Sequence, residues 1–127
     1  MMLSDKKIMA FVAVSDAAKA RSFYEGVLGL VFKREDAYAL VFDCNGIELR
    51  MSIIKDLKPV HYSVLSWMVP DIQAMVTDLK AKGVVFDIYD GMGQDKMAVW
   101  KAPDGTRVAW FKDPAGNVLS LTQYTHG

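Results

Sequence analysis

The chain has 127 residues, with 15 Lys and Arg balanced by 15 Asp and Glu, 52% apolar residues, one Cys and two His. That length suits a single domain, 1–127, whose core needs neither a disulfide nor a structural metal. Balanced charge argues against a nucleic-acid partner or a polybasic membrane binder, and no long apolar run or leader-like segment stands out, so the sequence reads as a soluble, cytoplasmic protein.

In chain order, an apolar run ends at Val14 and Asp16 follows, a good N-cap because its short carboxylate can accept from first-turn amides. Ala20, Phe23 and Val27 then recur at helical spacing, and Gly29 stops that helix. Strand-like runs follow at 30–33, 38–42 and 47–54, with Asn45-Gly46 signalling a tight hairpin between the last two. The order then repeats. A second apolar run ends at Val69 before Asp71, Ile72, Met75, Val76 and Leu79 mark a helix face, and Gly83 stops it. Strands are expected at 84–89, 107–111 and 118–123, with Asp113-Pro114-Ala115-Gly116 spaced as a type I turn. Each copy therefore reads strand, helix, strand, strand, strand. The second carries an insert of 16 residues around 90–105, DGMGQDKMAVWKAPDG, which is either a lid or binding loop or a mobile connection. Its GMG lacks the rest of a nucleotide-binding glycine pattern.

Two such copies, with VSDAAKARSFYEGVLGL in the first and AWFKDPAGNVLSLTQ in the second, resemble the vicinal oxygen chelate superfamily. That group holds glyoxalase I, bleomycin-resistance proteins, thiol transferases acting on fosfomycin and extradiol dioxygenases. The resemblance spans Ile8 to Tyr124. It implies an α+β fold of two tandem βαβββ modules, about 6–56 and 60–125, forming curved mixed sheets around a cup with helices on the outer face. It also implies that enzymes of the group hold a divalent metal in that cup. Their ligands are a His seven residues before the Asp of a copy and a Glu three residues after the Asn of the DPxGN turn. Those places here are Met9, Val64 and Ser120, and aligning Gly46 with Gly116 adds Arg50. Thioether, isopropyl, hydroxyl and guanidinium groups do not replace imidazole and carboxylate on such a metal. His61 has the wrong strand parity for the cup, and His126 lies next to the chain end; Glu48 is the one carboxylate able to lean in. No metal or other cofactor is expected.

Strand parity assigns Met9, Phe11, Ala13, Glu48, Arg50, Ser52, Val64, Ser66, Met68, Val118, Ser120 and Thr122 to the cup. The opposite parity, Ile8, Ala10, Val12, Leu49, Met51, Leu65, Trp67, Val69, Leu119 and Leu121, is expected to pack on the helices. Arg50 either clamps a carboxylate or phosphate or pairs with Glu48. Trp100 either stacks over the cup's mouth or anchors its loop, and Trp110 is read as packing. Met9 and Met68 adapt to flat ligands or fill gaps. Cys44 has no base near it in sequence, and no nucleophile or acid/base couple is visible, so no catalytic residue is assigned. The expectation is a metal-free binding protein with a resistance or sequestration role. Its ligand is a small apolar or aromatic molecule, anionic if Arg50 takes part, held by Met9, Phe11, Glu48, Arg50, Val64, Ser66, Met68, Trp100, Ser120 and Thr122. Resemblance to the bleomycin-resistance branch implies a two-fold homodimer. The alternative is a metal-dependent lyase, isomerase, thiol transferase or dioxygenase with unusual ligands, or a metal-free enzyme using Arg50.

Overall fold

Alternating side chains build β1 (Met9–Val14) in the computed structural model, which describes residues 2–125. Val12 and Val14 are buried while Met9 and Phe11 stand exposed, the period-2 signature of a strand packed on one side. Asp16 caps α1 (Ala17–Arg21) by accepting from the Lys19 amide at 3.0 Å. The helix does not continue in α form. A π-helical turn occupies Ser22–Val27, and the Leu28 amide reaches back five residues to the Phe23 carbonyl. Tyr24, four residues after Ala20 and three before Val27 and so on the same helical face, is the fully buried residue of this segment, while Phe23 and Val27 are half-buried.

Three strands follow, β2 (Val31–Glu35), β3 (Ala39–Cys44) and β4 (Ile47–Ile53). The β3–β4 hairpin turns on Asn45 and Gly46, both at positive φ (51° and 89°), as the two-residue turn demands and as Asn-Gly accommodates. Sheet order is β1-β4-β3-β2, with β1 parallel to β4 and the other pairs antiparallel. Val12, Val14, Leu40, Phe42, Leu49 and Met51 are buried together with Ala20 and Tyr24. The Tyr24 and Phe32 rings lie 6.1 and 5.6 Å from that of Phe42. Each such side chain contributes about 1.5–3 kcal/mol by leaving water. Ile8, expected on this face, precedes the strand and is exposed.

A second compact unit begins at Pro59 and repeats the plan. It comprises β5 (Ser63–Met68), α2 (Ile72–Ala81), β6 (Trp100–Lys101), β7 (Arg107–Lys112) and β8 (Val118–Gln123), in sheet order β5-β8-β7-β6. β5 runs parallel to β8. Asp71 caps α2 through the Ala74 amide, and Ile72, Val76 and Leu79 turn inward, with α2 packing on β7 and β8. The result is an α+β fold of tandem βαβββ modules, each with a four-stranded mixed sheet.

Two sequence expectations fail in the second unit. Residues 84–89 form no strand; they make one bridge, Phe86 to Phe111, with the two rings 5.3 Å apart. The edge position is taken by β6, which lies inside the insert and pairs Trp100 with Val108 and Lys101 with Arg107. The DPAGN turn does close as expected, Gly116 N–H donating to the Asp113 carbonyl at 3.0 Å. The buried Asp113 carboxylate also accepts from the amides of Ala115 and Asn117 and from the Asn117 side chain.

Candidate functional site

Each sheet has one face on its helix and a second face of mixed chemistry. In the first unit, cross-strand register lines up Arg34, Val41, Arg50 and Phe11 in one row and Asp43, Glu48 and Met9 in the next. Phe11 is 61% exposed and Met9 45%, unusual for large apolar side chains in a strand. Arg50 and Glu48 share this face, but they do not pair with each other. Arg50 reaches Asp36 at 3.5 Å and Glu48 reaches Arg34 at 3.6 Å. Both ion pairs reach across β3, since Glu48 and Arg50 lie on β4 while Arg34 lies on β2 and Asp36 in the connection that follows it. Asp36 is held mainly by the turn before β3. Its Oδ1 accepts from the amides of Tyr38 (2.8 Å) and Ala39 (2.9 Å), and these bonds, with a smaller contribution from Arg50, hold its carboxyl below the usual range.

In the second unit, register places Ser66 and Ser120 opposite Trp110, and Met68 and Thr122 opposite Val108 and Trp100. Ser66 and Thr122 share a hydroxyl–hydroxyl bond of 2.8 Å. Ser120 is buried, and its hydroxyl meets that of Ser63, also at 2.8 Å. A register shift between Ser63 and Leu65 sets Val64 out of step, so Ser63 rather than Val64 takes the place opposite Val118, from which its hydroxyl reaches Ser120. Met68 is 78% exposed. His61 precedes β5 in irregular chain, so strand parity does not govern it; His126 lies outside the described residues.

Three aromatic rings share this neighbourhood. Trp100 lies 6.1 Å from Trp110, tilted by 37°, and Tyr89 meets Trp110 edge-on at 5.6 Å. Trp100 therefore stands on the sheet's edge strand, with its indole against that of Trp110. The insert around it is stitched to the body by Gln94. That side chain accepts from the Tyr89 amide and donates to the carbonyls of Asp87 and Ala98. Asp95 adds bonds from the amides of Met97 and Val99. Sequence reasoning missed Tyr89, Ser63 and Asp36; only Trp110, facing Ser120 across two antiparallel strands, was recoverable from the hairpin register. A cleft of about 560 Å³ on the solvent side of α2, lined by Asp71, Thr77, Asp78 and Asp95 among others, lies apart from this face.

The donor set does not fit a divalent metal of the type that the sequence resemblance implies. Met9 offers a thioether, Val64 nothing, Arg50 a cation engaged with Asp36, and Ser120 a hydroxyl already bonded to Ser63. Glu48 answers Arg34. Among the described residues, no three His, Cys, Asp or Glu side chains converge on a point that could hold an ion. No helix among them is long and apolar enough to cross a membrane.

The model of the Glyoxalase/Bleomycin resistance protein/Dioxygenase superfamily matches residues 7–121. Among solved structures, an antibiotic-binding protein, TnmS3 from Streptomyces sp. CB03234, is 25% identical, with a TM-score of 0.71 over 98% of this chain and 100% of that one. A glyoxalase/bleomycin resistance protein/dioxygenase from Alicyclobacillus acidocaldarius is 18% identical (TM-score 0.72; 98% and 96% covered). A lactoylglutathione lyase from Agrobacterium tumefaciens is 17% identical (TM-score 0.72; 94% and 95% covered). No curated protein sequence matches the chain.

Proposed function

The chain belongs to the glyoxalase/bleomycin-resistance/dioxygenase superfamily, and on that premise we propose that it is a metal-independent binding protein for small apolar or aromatic molecules. The observation that carries this reading is chemical. The sheet faces that would serve a metal in the family's enzymes present here a phenylalanine, two methionines, a tilted pair of neighbouring indoles and neutral hydroxyls. Flat apolar surfaces with a few placed polar groups are how small-molecule sites are commonly composed. Methionine adapts to irregular ligands, and indole faces stack on rings. Similarity to an antibiotic-binding protein supports the same reading and suggests a sequestration or resistance role.

The test is a thermal-shift screen against antibiotics, thiols and small aromatic acids, followed by titration of tryptophan fluorescence with each hit. A ligand that binds only the folded state raises the unfolding temperature in a concentration-dependent way. Quenching should persist in Trp67→Phe, whose ring lies on the helix-facing parity, and fall in Trp100→Phe. Stoichiometric zinc, nickel, manganese or iron that survives dialysis and is required for binding would overturn the proposal in favour of a metal-dependent enzyme.

A further inference from the structure

We propose that the first unit selects aromatic carboxylates through Arg50, and that Asp36 is a built-in competitor which the ligand's carboxylate displaces. This rests on the binding reading above and narrows its ligand class. Arg50 is flanked in register by Phe11 on β1 and Val41 on β3. Phe11 is 61% exposed, so an apolar ring and a guanidinium stand side by side on one face. A guanidinium is best satisfied by two parallel hydrogen bonds from a carboxylate at about 2.7–2.9 Å. Asp36 gives it much less: one nitrogen meets one oxygen at 3.5 Å, with the Arg50 side chain 28% exposed.

That poor fit has a cause in the turn. The other oxygen of Asp36 is committed to the amides of Tyr38 and Ala39, so the carboxylate's orientation is set by the β2–β3 connection rather than by Arg50. Displacing it therefore breaks a single long, partly solvated ion pair, the kind that contributes little, and leaves Asp36 anchored where it was. The neighbouring Arg34 is answered by Glu48, which leaves Arg50 as the guanidinium in this row set beside an exposed ring. A ligand with its ring over Phe11 and its carboxylate on Arg50 gains a two-pronged bond in place of the long contact. It must also tolerate the negative charge of Asp36 close by. Removing that charge should tighten binding, an outcome opposite to the one expected if Asp36 merely supports the fold.

The experiment is calorimetric titration of the full chain at pH 7 with two matched probes, 2-naphthoate and the neutral 2-naphthamide. The wild type should prefer naphthoate by about tenfold, the scale of a charge-assisted pair. Asp36→Asn keeps an oxygen for the Tyr38 and Ala39 amides. It should bind naphthoate several-fold more tightly and naphthamide unchanged. Arg50→Gln should bind both probes alike, and Arg50→Lys, with the charge but not the fork, should fall between. If Asp36→Asn leaves naphthoate affinity the same or weaker, or Arg50→Gln weakens both probes equally, aromatic binding stands and this assignment is overturned. If neither probe binds the wild type, the binding reading falls and this inference with it.

Discussion

Tyr24 is fully buried on the helical face that Ala20 and Val27 share, four residues after the one and three before the other. Its ring packs in the core 6.1 Å from that of Phe42. Truncation by Tyr24→Ala should cost about 3–5 kcal/mol, the range for large aromatics in a core, measured by urea denaturation; a loss below about 1 kcal/mol would show that the ring is dispensable. Asp36 carries the pH prediction at this scale. Its carboxyl is held below the usual range by the Tyr38 and Ala39 amides, so the folded state favours the charged form. That contribution is complete above the ordinary carboxylate pKa of about 3.9 and is lost as pH falls through the lower folded value. Replacement by Ala should therefore destabilise the protein at neutral pH, and the difference from wild type should shrink in denaturation series carried below about pH 4. A difference that stays constant to pH 2 would mean that the carboxylate's charge plays no part. Parity read the faces of Arg50 and Glu48 correctly but not their partners, because those lie on other segments that only the folded sheet brings near.

At the scale of elements, most boundaries were legible and the insert was not. The Asp caps, the glycine stops and the Asn-Gly hairpin each follow from local backbone chemistry, and the structure has them where the sequence puts them. Residues 84–89 form a strand-like apolar run yet make one bridge, while β6 has only two residues and left no period to read. Pairing at a sheet edge is settled by tertiary contact, chiefly the indole of Trp100 on Trp110 and the bonds of Gln94. Gln94→Ala removes those three bonds. It should speed amide hydrogen exchange at Tyr89 and Trp100 by tenfold or so, on the order of 1–2 kcal/mol of local opening, with little change at β8. Uniform exchange across the second unit would argue that the insert does not open by itself. Gly116 is the other sensitive point. Its φ is +89°, and an added Cβ would come within 3.1 Å of Pro59 Cγ. Gly116→Ala should therefore cost about 1–3 kcal/mol by thermal unfolding, and an unchanged midpoint would show that the turn relaxes freely.

At the scale of the whole molecule, the duplicated order of elements disclosed the architecture, since each copy had to bury one sheet face under its own helix. What the second faces do was less legible, because function there depends on side chains that no periodicity marks. In the function proposed above, these faces take organic molecules by stacking and hydrogen bonding, without a divalent ion. The most direct measurement is a calorimetric titration with 2-naphthoate on protein dialysed against a strong chelator, repeated after adding back zinc, nickel, manganese or iron. Binding should be saturable, with the same affinity in every case. Binding that vanishes in the chelator and returns with one metal would contradict it.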